Sequence, residues 1–427
     1  MNPSEKSVVT CDLEGRIETY NAGAASIFGY EAEEVVGKKR VSLFSPGEIV
    51  LEHVPRWLRT AVDQGEFQTR TVFVKKDGTS FAADIRITPT FKLGQHIGYC
   101  GVTVPLADVS AEEVRPKVST GTRVFRWLVV TRAPFLTASI TAVLLGAAFA
   151  RASTTGPFAW ANFWTALLGS IALHLGANTF NDYFDWTSGT DQQNSEYFLP
   201  FSGGSRSIEL GLITEKGLLR LAITTFAVAA ACGAALVFRV GSAILGYGLA
   251  GAFAAYFYTA PPLRLAARKG LGELFVGLAF GPLMTAGMFT ALTGRVDPRA
   301  FATGVLPGLL TAAILYINEF PDAPSDERAG KSHLVVVLGK RGARWGYAFL
   351  LLGAAASLVG LVVARVWPPL ALIALLAAPL GISATRTLWR HYDDRELVSA
   401  NKATILLQLA ATVLATLGLL WGGAIAR

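Results

Sequence analysis

Two short clusters of carboxylate and amide residues stand at the ends of two long apolar runs of the sequence. In the first cluster, Asp182 follows Asn178 by four residues and Asp185 follows Asp182 by three. On an α-helix these spacings place the three side chains on one face. The same stretch contains Asn181 and Asp191. Carboxylates at the edge of a membrane span are costly to place and usually have a function, so we predict a functional site here.

The second cluster repeats this arrangement near the end of another apolar run. Asn318, Asp322 and Asp326 follow each other at intervals of four residues, with Glu319 beside them and Lys331 shortly after. Hard oxygen ligands of this kind suit Mg²⁺ that is bound together with a phosphorylated substrate. Two such clusters can hold metal ions from both sides and bridge a diphosphate between them. The predicted metal ligands are Asp182, Asp185, Asp322 and Asp326.

These two clusters resemble the motifs of the UbiA superfamily of intramembrane aromatic prenyltransferases, and the resemblance covers roughly residues 126 to 427. The phrases at 181–191 and 318–331 are most similar to the MenA branch, which prenylates 1,4-dihydroxy-2-naphthoate in menaquinone synthesis. The resemblance implies Mg²⁺-dependent transfer from a prenyl diphosphate to an aromatic acceptor, with the four aspartates as catalytic residues. The predicted substrate contacts are Asn178, Asn181, Asp191, Arg206, Asn318 and Lys331.

Further candidates lie near other apolar runs. Tyr256 and Tyr258 end one run, and an aromatic face can shield a carbocation by cation–π attraction. An interfacial aromatic belt explains Tyr258 equally well. Glu273 lies just inside the next run and resembles the MenA branch there, so we predict a role at the substrate site. Backbone N–H groups of 202–206 are further phosphate donors, and His174 is interpreted as a packing or hydrogen-bonding residue.

Composition divides the chain into two parts. The 427 residues are 52% hydrophobic and 16% charged, but residues up to about 120 are ordinary for a soluble domain, whereas the rest is dominated by apolar runs. The net charge of +7 is interpreted as Lys and Arg in cytoplasmic loops, and we expect no nucleic-acid partner. The three cysteines form no disulfide or metal-binding pattern. The first 20 residues lack the apolar core of a signal peptide.

Residues 8–104 are predicted to form a compact α+β module. It begins with a β-hairpin around Gly15, continues through short helices and a longer helix over 49–64, and ends with strands around an Asp77-Gly78 turn. The order of these elements resembles a PAS domain. The matching phrases are Asp12-x-x-Gly15-x-Ile17, Lys76-Asp77-Gly78 and Gly98-Tyr-Cys-Gly-Val-Thr103.

The ligand of this module is unknown from the sequence. The resemblance places a Cys in flavin photosensors and a His in haem-binding relatives at positions where this chain has neither residue. His53 and His96 are interpreted as surface residues. Two interpretations stay open: a small-molecule sensor, or a dimerisation module that gives a homodimer.

The rest of the chain is predicted to be an all-α polytopic membrane domain with about nine transmembrane helices, as in a UbiA-like bundle. We assign 1–108 to the PAS domain, 109–123 to a linker and 124–427 to the membrane domain. An excess of Lys and Arg in alternate loops places the PAS domain and both acidic clusters on the cytoplasmic side of the inner membrane. The predicted spans are 124–150, 158–181, 217–238, 241–260, 270–293, 301–319, 344–364, 367–386 and 404–425.

Three functions fit these patterns. The first is a Mg²⁺-dependent prenyltransferase for 1,4-dihydroxy-2-naphthoate, regulated by the PAS domain. The second transfers the prenyl group to a non-quinone acceptor, such as another phenol or a glycerol-phosphate lipid. The third is a non-catalytic PAS-gated membrane sensor that binds isoprenoids. Two complete aspartate clusters favour an enzyme, because a binding protein need not keep both.

Overall fold

The computed structural model describes residues 6–194 and 203–422, which form two compact units. The predicted PAS domain and linker both lie in unit 1, and the first division between the units follows Val130 rather than residue 123. Unit 1 also contains two segments from the middle of the sequence. Unit 1 comprises Met1–Val130, Asp191–Ser195 and Ser205–Glu215; unit 2 comprises Thr131–Thr190, Glu196–Gly204 and Lys216–Arg427.

Unit 1 is built on a five-stranded antiparallel sheet with the strand order β2-β1-β5-β4-β3. Alternate residues of β1 are buried, which is the pattern of a strand with one face on a core. The predicted hairpins are present, and Gly78 at the β3–β4 turn has a φ of 84°, which favours glycine. The strands are β1 Ser7–Asp12, β2 Ile17–Tyr20, β3 Phe67–Val74, β4 Ser80–Lys92 and β5 Gln95–Pro105.

Five helices accompany this sheet. The prediction of a single helix over 49–64 is wrong, because this stretch forms two helices that meet at His53. Pro55 lies in the first turn of the second helix, where its missing N–H costs nothing. The surface interpretation of His53 is also wrong, since its side chain is buried and Nε2 lies 3.2 Å from the Lys117 carbonyl oxygen. The helices are α1 Ala22–Phe28, α2 Ala32–Val35, α3 Gly47–Glu52, α4 Val54–Gln64 and α5 Thr120–Val130.

Most of the remaining helices are long and apolar, and α8, α11 and α13 are short. Short 3-10 turns precede several of them, and a π-helical turn at Ala279–Leu283 joins α11 to α12. They are α6 Leu136–Ser153, α7 Trp160–Thr187, α8 Thr190–Gln193, α9 Glu215–Val240, α10 Ala243–Phe257, α11 Leu271–Leu278, α12 Met284–Thr293, α13 Pro298–Thr303, α14 Val305–Arg328, α15 Leu334–Val363, α16 Ala378–Arg390 and α17 Leu397–Trp421.

Seven helical segments of the described chain are long and apolar enough to cross a membrane, so the predicted count of nine is not confirmed. The 28-residue α7 is not among the seven, and α10 is apolar but has only 15 residues. The seven segments are Ala133–Ser153, Glu215–Val240, Leu271–Thr293, Pro298–Arg328, Leu334–Val363, Pro369–Arg390 and Leu397–Trp421.

The first predicted span, 124–150, is not one helix. The chain leaves the helical conformation at Arg132, whose φ of 53° lies in the left-handed region and cannot continue a right-handed helix. A 3-10 turn at Ala133–Phe135 follows, and α6 begins at Leu136. The break places Arg132 beside the first acidic motif, because its Nη1 lies 3.9 Å from Asp182 Oδ1.

Glycines allow α11 and α14 to pack backbone against backbone. A Cβ added to Gly308 would collide with the carbonyl oxygen of Gly277, and one added to Gly304 would collide with the backbone nitrogen of Pro282. Such close approach is typical of helices packed in lipid. It brings the acidic side chains that these two helices carry near each other.

Candidate active site

Helix α7 positions the first motif. Asp182 is buried with 4% of its surface exposed, and Asn178 Nδ2 donates a hydrogen bond of 3.1 Å to the Thr131 carbonyl oxygen. Asn181 Oδ1 accepts a hydrogen bond of 3.1 Å from the Thr259 hydroxyl. The amides are therefore fixed by neighbouring segments.

Helix α14 positions the second motif and remains helical through Pro321 and Pro324. Asn401 Nδ2 donates a hydrogen bond to Asn318 Oδ1, and Asp322 Oδ2 accepts one of 3.0 Å from the backbone N–H of Gly203. This last contact uses a donor of the stretch that we expected to bind phosphate. Ser202 of that stretch lies outside the described residues.

Lys331 joins the two motifs. Its Nζ lies 3.3 Å from Asp185 Oδ1 and 3.4 Å from Asp326 Oδ1, and all three side chains are largely buried. One ammonium thus contacts a carboxylate from each motif. The two helices therefore bring these carboxylates close enough to act on one cation.

Asp191 and Arg206, two other predicted contacts, belong to unit 1. The guanidinium of the buried Arg206 donates to the carbonyl oxygens of Asp191 and Asn194 and lies 3.2 Å from Glu209 Oε2. In this structure Arg206 holds the segments on either side of 196–204 together.

A cavity of about 550 Å³ lies among the helices of unit 2. Most of its wall is apolar, from residues such as Leu173, Phe275 and Leu283. Its polar lining includes Arg132, His174, Asn178, Asn181, Tyr258 and Asn318. Since Asn178 and Asn318 each precede a motif aspartate by one helical turn, the polar part of the cavity adjoins the aspartates.

The structure distinguishes the two candidate tyrosines. Tyr258 lines the cavity, whereas Tyr256 packs against Phe180 and Phe184, with ring centroids at 5.3 and 5.8 Å, and is 36% exposed. Side chains two residues apart on a helix point in nearly opposite directions, so only one of these two tyrosines can face the cavity. His174 forms a 2.6 Å hydrogen bond with Ser139, as its interpretation anticipated.

Glu273 is buried but is not among the residues that line the cavity. Its Oε1 accepts a hydrogen bond of 2.8 Å from the backbone N–H of Leu334, and its neighbours are Glu319 and His333. We did not single out His333 from the sequence, where a lone histidine after Lys331 gives no signal of its own.

Asp185 and Asp326 fit a shared cation, because the Lys331 ammonium already places a positive charge between these two carboxylates. Carboxylates and amide oxygens are the ligands of Mg²⁺, which usually keeps bound water or substrate phosphate as well. Among the described residues, the four motif aspartates do not form a group whose ligand atoms all lie within 4.8 Å of one another. Glu273, Glu319 and His333 do form such a group.

Comparisons with known proteins agree with this geometry. The UbiA prenyltransferase family matches residues 139–409, and the PAS domain matches residues 5–110. A 1,4-dihydroxy-2-naphthoate octaprenyltransferase of Mycobacterium tuberculosis is 32% identical over 263 residues, which cover 60% of this chain and 86% of that protein. The Escherichia coli protein of the same name is 31% identical over 304 residues, which cover 69% of this chain and 94% of that protein.

Among solved structures, the apo structure of a UbiA homolog from Aeropyrum pernix K1 has 18% sequence identity and a TM-score of 0.52. It covers 67% of this chain and 96% of that chain, which shows a shared fold. The chain therefore belongs to the UbiA prenyltransferase family, as a multi-pass membrane prenyltransferase with an N-terminal PAS domain.

Proposed function

We propose that the chain transfers a prenyl group from a prenyl diphosphate to 1,4-dihydroxy-2-naphthoate in menaquinone biosynthesis. The observation that carries this proposal is the pairing of Lys331 with Asp185 and Asp326 beside a largely apolar cavity. A charged site next to an apolar cavity matches the two ends of a prenyl diphosphate. The names of the naphthoate octaprenyltransferase relatives support the acceptor.

The reaction needs charge neutralisation mainly at the diphosphate leaving group. The allylic C–O bond breaks, its electron pair leaves with the diphosphate, and an electron-rich ring carbon of the acceptor supplies the pair for the new C–C bond. The ring substituent that the prenyl group displaces leaves without the electron pair of its bond to the ring. Mg²⁺ bound by Asp182, Asp185, Asp322 and Asp326 would neutralise charge on the diphosphate.

Other side chains bind and orient the substrates. Lys331 offers its ammonium to diphosphate oxygens, and Asn178 and Asn318 position the polar groups of the substrates. Tyr258 lines the cavity, where an aromatic ring can stabilise positive charge on the prenyl group. The apolar wall excludes water that would otherwise capture the cation.

A turnover assay tests this function. Membranes with the full chain receive a labelled prenyl diphosphate, Mg²⁺ and 1,4-dihydroxy-2-naphthoate. We expect a prenylated naphthoate that disappears without Mg²⁺ and falls at least 100-fold in Asp182→Ala, the typical scale for loss of an electrostatic catalytic group. Asp393→Asn removes a carboxylate that is exposed and pairs with Lys340, so it is the matched control.

The other outcomes separate the remaining functions. Diphosphate release without the naphthoate product would assign the transfer to another acceptor, such as a phenol or a glycerol-phosphate lipid. A folded protein that neither releases diphosphate nor forms a product with any acceptor would overturn the enzyme and favour an isoprenoid-binding sensor.

We also propose that the PAS domain and the acidic motifs face the cytoplasm at the inner membrane, because the loops on that side carry the excess of Lys and Arg. Single cysteines at Asp77 and Val296, in a background with the native cysteines replaced, test this. We expect a membrane-impermeant maleimide to label Asp77→Cys only in inside-out vesicles and Val296→Cys only in right-side-out vesicles. The reverse pattern would contradict the orientation.

A further inference from the structure

A second group of metal-binding side chains lies outside the aspartate motifs. Glu273 stands in the first turn of α11, Glu319 in α14, and His333 immediately before α15. One ligand atom from each lies within 4.8 Å of the others. The exposed fractions are 5% for Glu273, 9% for Glu319 and 2% for His333, so the group is shielded from water.

Among the described residues, each of these side chains has an atom with no hydrogen-bond partner. Glu273 Oε1 accepts from the Leu334 backbone, but its Oε2 has no partner, and neither has Oε2 of Glu319. His333 Nδ1 is also without a hydrogen bond. Buried polar atoms are nearly always satisfied, so three such atoms in one place point to a site that can bind a ligand.

The other ring nitrogen of His333, Nε2, lies 3.2 Å from Asp326 Oδ2. In the neutral imidazole we assign the proton to Nε2, where it can be donated to this carboxylate. The lone pair of Nδ1 then faces Glu319 Oε2 at 3.5 Å. Two electron-rich atoms facing each other in a dry interior repel, and a cation between them removes the repulsion.

This arrangement is common at metal sites, where a histidine ligand donates its second N–H to a carboxylate that orients the ring. Two ligand atoms that bind a tetrahedral Zn²⁺ at about 2.1 Å lie about 3.4 Å apart, close to the separation of Nδ1 and Oε2. Imidazole with two carboxylates favours Zn²⁺, Mn²⁺ or Fe²⁺ over Mg²⁺. Two carboxylates also balance the charge of a divalent ion.

We propose that Glu273, Glu319 and His333 bind one divalent transition-metal cation. The three residues are not among those that line the cavity, so we place this cation outside the prenyl site. It connects α11, α14 and the start of α15, and through His333 it orients the Asp326 carboxylate. The three residues are positioning residues for the second acidic motif.

The probe for this site is Co²⁺, whose visible absorption reports its coordination geometry. Purified full chain in detergent is stripped with a chelator and titrated with Co²⁺ in excess Mg²⁺, which occupies the oxygen-only aspartate motifs. We expect one equivalent to bind with the absorption of a four- or five-coordinate ion. Elemental analysis of protein purified without chelator should also find about one transition-metal ion per chain.

Variants locate the bound ion. We expect His333→Gln and Glu319→Gln to weaken Co²⁺ binding at least 10-fold, whereas Asp182→Asn retains it. His391→Gln removes a histidine that pairs with Asp394 in a more exposed setting, and it serves as the matched control. A folded wild-type chain that binds no Co²⁺, or variants with unchanged binding, would overturn the proposal.

The test is independent of prenyl transfer, because its readouts are stoichiometry and absorption. If the variants fail to fold, the wild-type titration alone decides whether a nitrogen-containing site exists. A wild-type chain that binds Co²⁺ but transfers no prenyl group would overturn only the proposed function. A wild-type chain that transfers the prenyl group but binds no Co²⁺ would overturn only this site.

Discussion

The most informative single residue is Lys331, because its ammonium contacts Asp185 at 3.3 Å and Asp326 at 3.4 Å. A lysine between carboxylates orients them and offers charge to a diphosphate. We expect Lys331→Gln to raise the KM for the prenyl diphosphate about 10-fold, or about 1.4 kcal/mol, with a smaller change in kcat. Steady-state kinetics in membranes measures both constants.

The matched control is Lys340→Gln, since Lys340 pairs at 2.6 Å with the exposed Asp393. Pairs with an exposed partner contribute little, so both constants should stay unchanged. A fall in kcat with an unchanged KM in Lys331→Gln would show instead that the lysine acts only in the transition state.

Cys11 offers a prediction in the PAS domain. Burial, together with the negative charge of Asp12, raises the pKa of its thiol to about 12. Because the thiolate is the reactive form, the folded chain should be alkylated at Cys11 about 1,000-fold more slowly than a free cysteine at pH 8. Peptide-resolved mass spectrometry after timed alkylation checks this, and a rate equal to that of a free thiol would contradict the burial.

The same pKa shift makes stability depend on pH. A thiol with a raised pKa in the folded state stays protonated after the unfolded chain has lost its proton. Its contribution to the free energy of unfolding is therefore present below about pH 9 and is lost as the pH rises towards 12. Cys11→Ala should remove this part of the alkaline destabilisation of the PAS domain, as followed by thermal melts.

At the scale of elements, the crossing of α11 and α14 depends on glycine. A Cβ at Gly308 would collide with the carbonyl oxygen of Gly277, so the helices must move apart to accept Gly308→Ala. We expect a loss of about 1–3 kcal/mol in the free energy of unfolding, measured by thermal unfolding in detergent. Gly360→Ala, with nothing among the described residues within 4 Å of the added methyl group, should keep or slightly raise the melting temperature, because Ala favours a helix more than Gly does.

The registers of the two motif helices could be predicted because spacings of three and four residues fix a helical face without tertiary information. The break at Arg132 could not be predicted, because the left-handed φ at this residue has no signal in the amino-acid composition. Which of Tyr256 and Tyr258 faces the cavity also depends on packing, because α10 is apolar all round.

The same limit of sequence-based prediction applies to the group of Glu273, Glu319 and His333. Its members come from three separate helical segments, so no local spacing connects them. In the sequence, Glu319 stood out because it lies beside Asn318, and Glu273 because its surroundings resemble the MenA branch. Their approach follows from the glycine contacts between α11 and α14, which a single sequence does not reveal.

At the scale of the whole molecule, a short segment between α7 and α9 folds with the PAS domain. Residues Ser205–Glu215 belong to unit 1, and within it Leu210 and Leu212 are buried. A Cβ added to Gly47, at the start of α3, would collide with the Leu210 carbonyl oxygen. The sequence could not predict this contact, because about 160 residues separate the two partners.

If the PAS domain regulates turnover, we propose that this segment is the connection. The segment begins next to Arg206, which holds Asp191 and Asn194 by their carbonyl oxygens, and Asp191 follows the first acidic motif in the chain. We therefore expect Gly47→Ala to displace Leu210 and Leu212 and to loosen the segment. Hydrogen exchange at their amides, which now bond to the Arg206 and Ser207 carbonyl oxygens at 2.8 Å, should become faster.

Prenyl transfer by Gly47→Ala should fall several-fold if the PAS domain regulates turnover through this segment. Gly360→Ala is again the control, because it adds the same methyl group where nothing lies within 4 Å. Faster exchange with unchanged transfer would show that the segment is held by the PAS domain without controlling catalysis. Unchanged exchange would contradict the contact itself, since a methyl group at Gly47 has no space unless Leu210 moves.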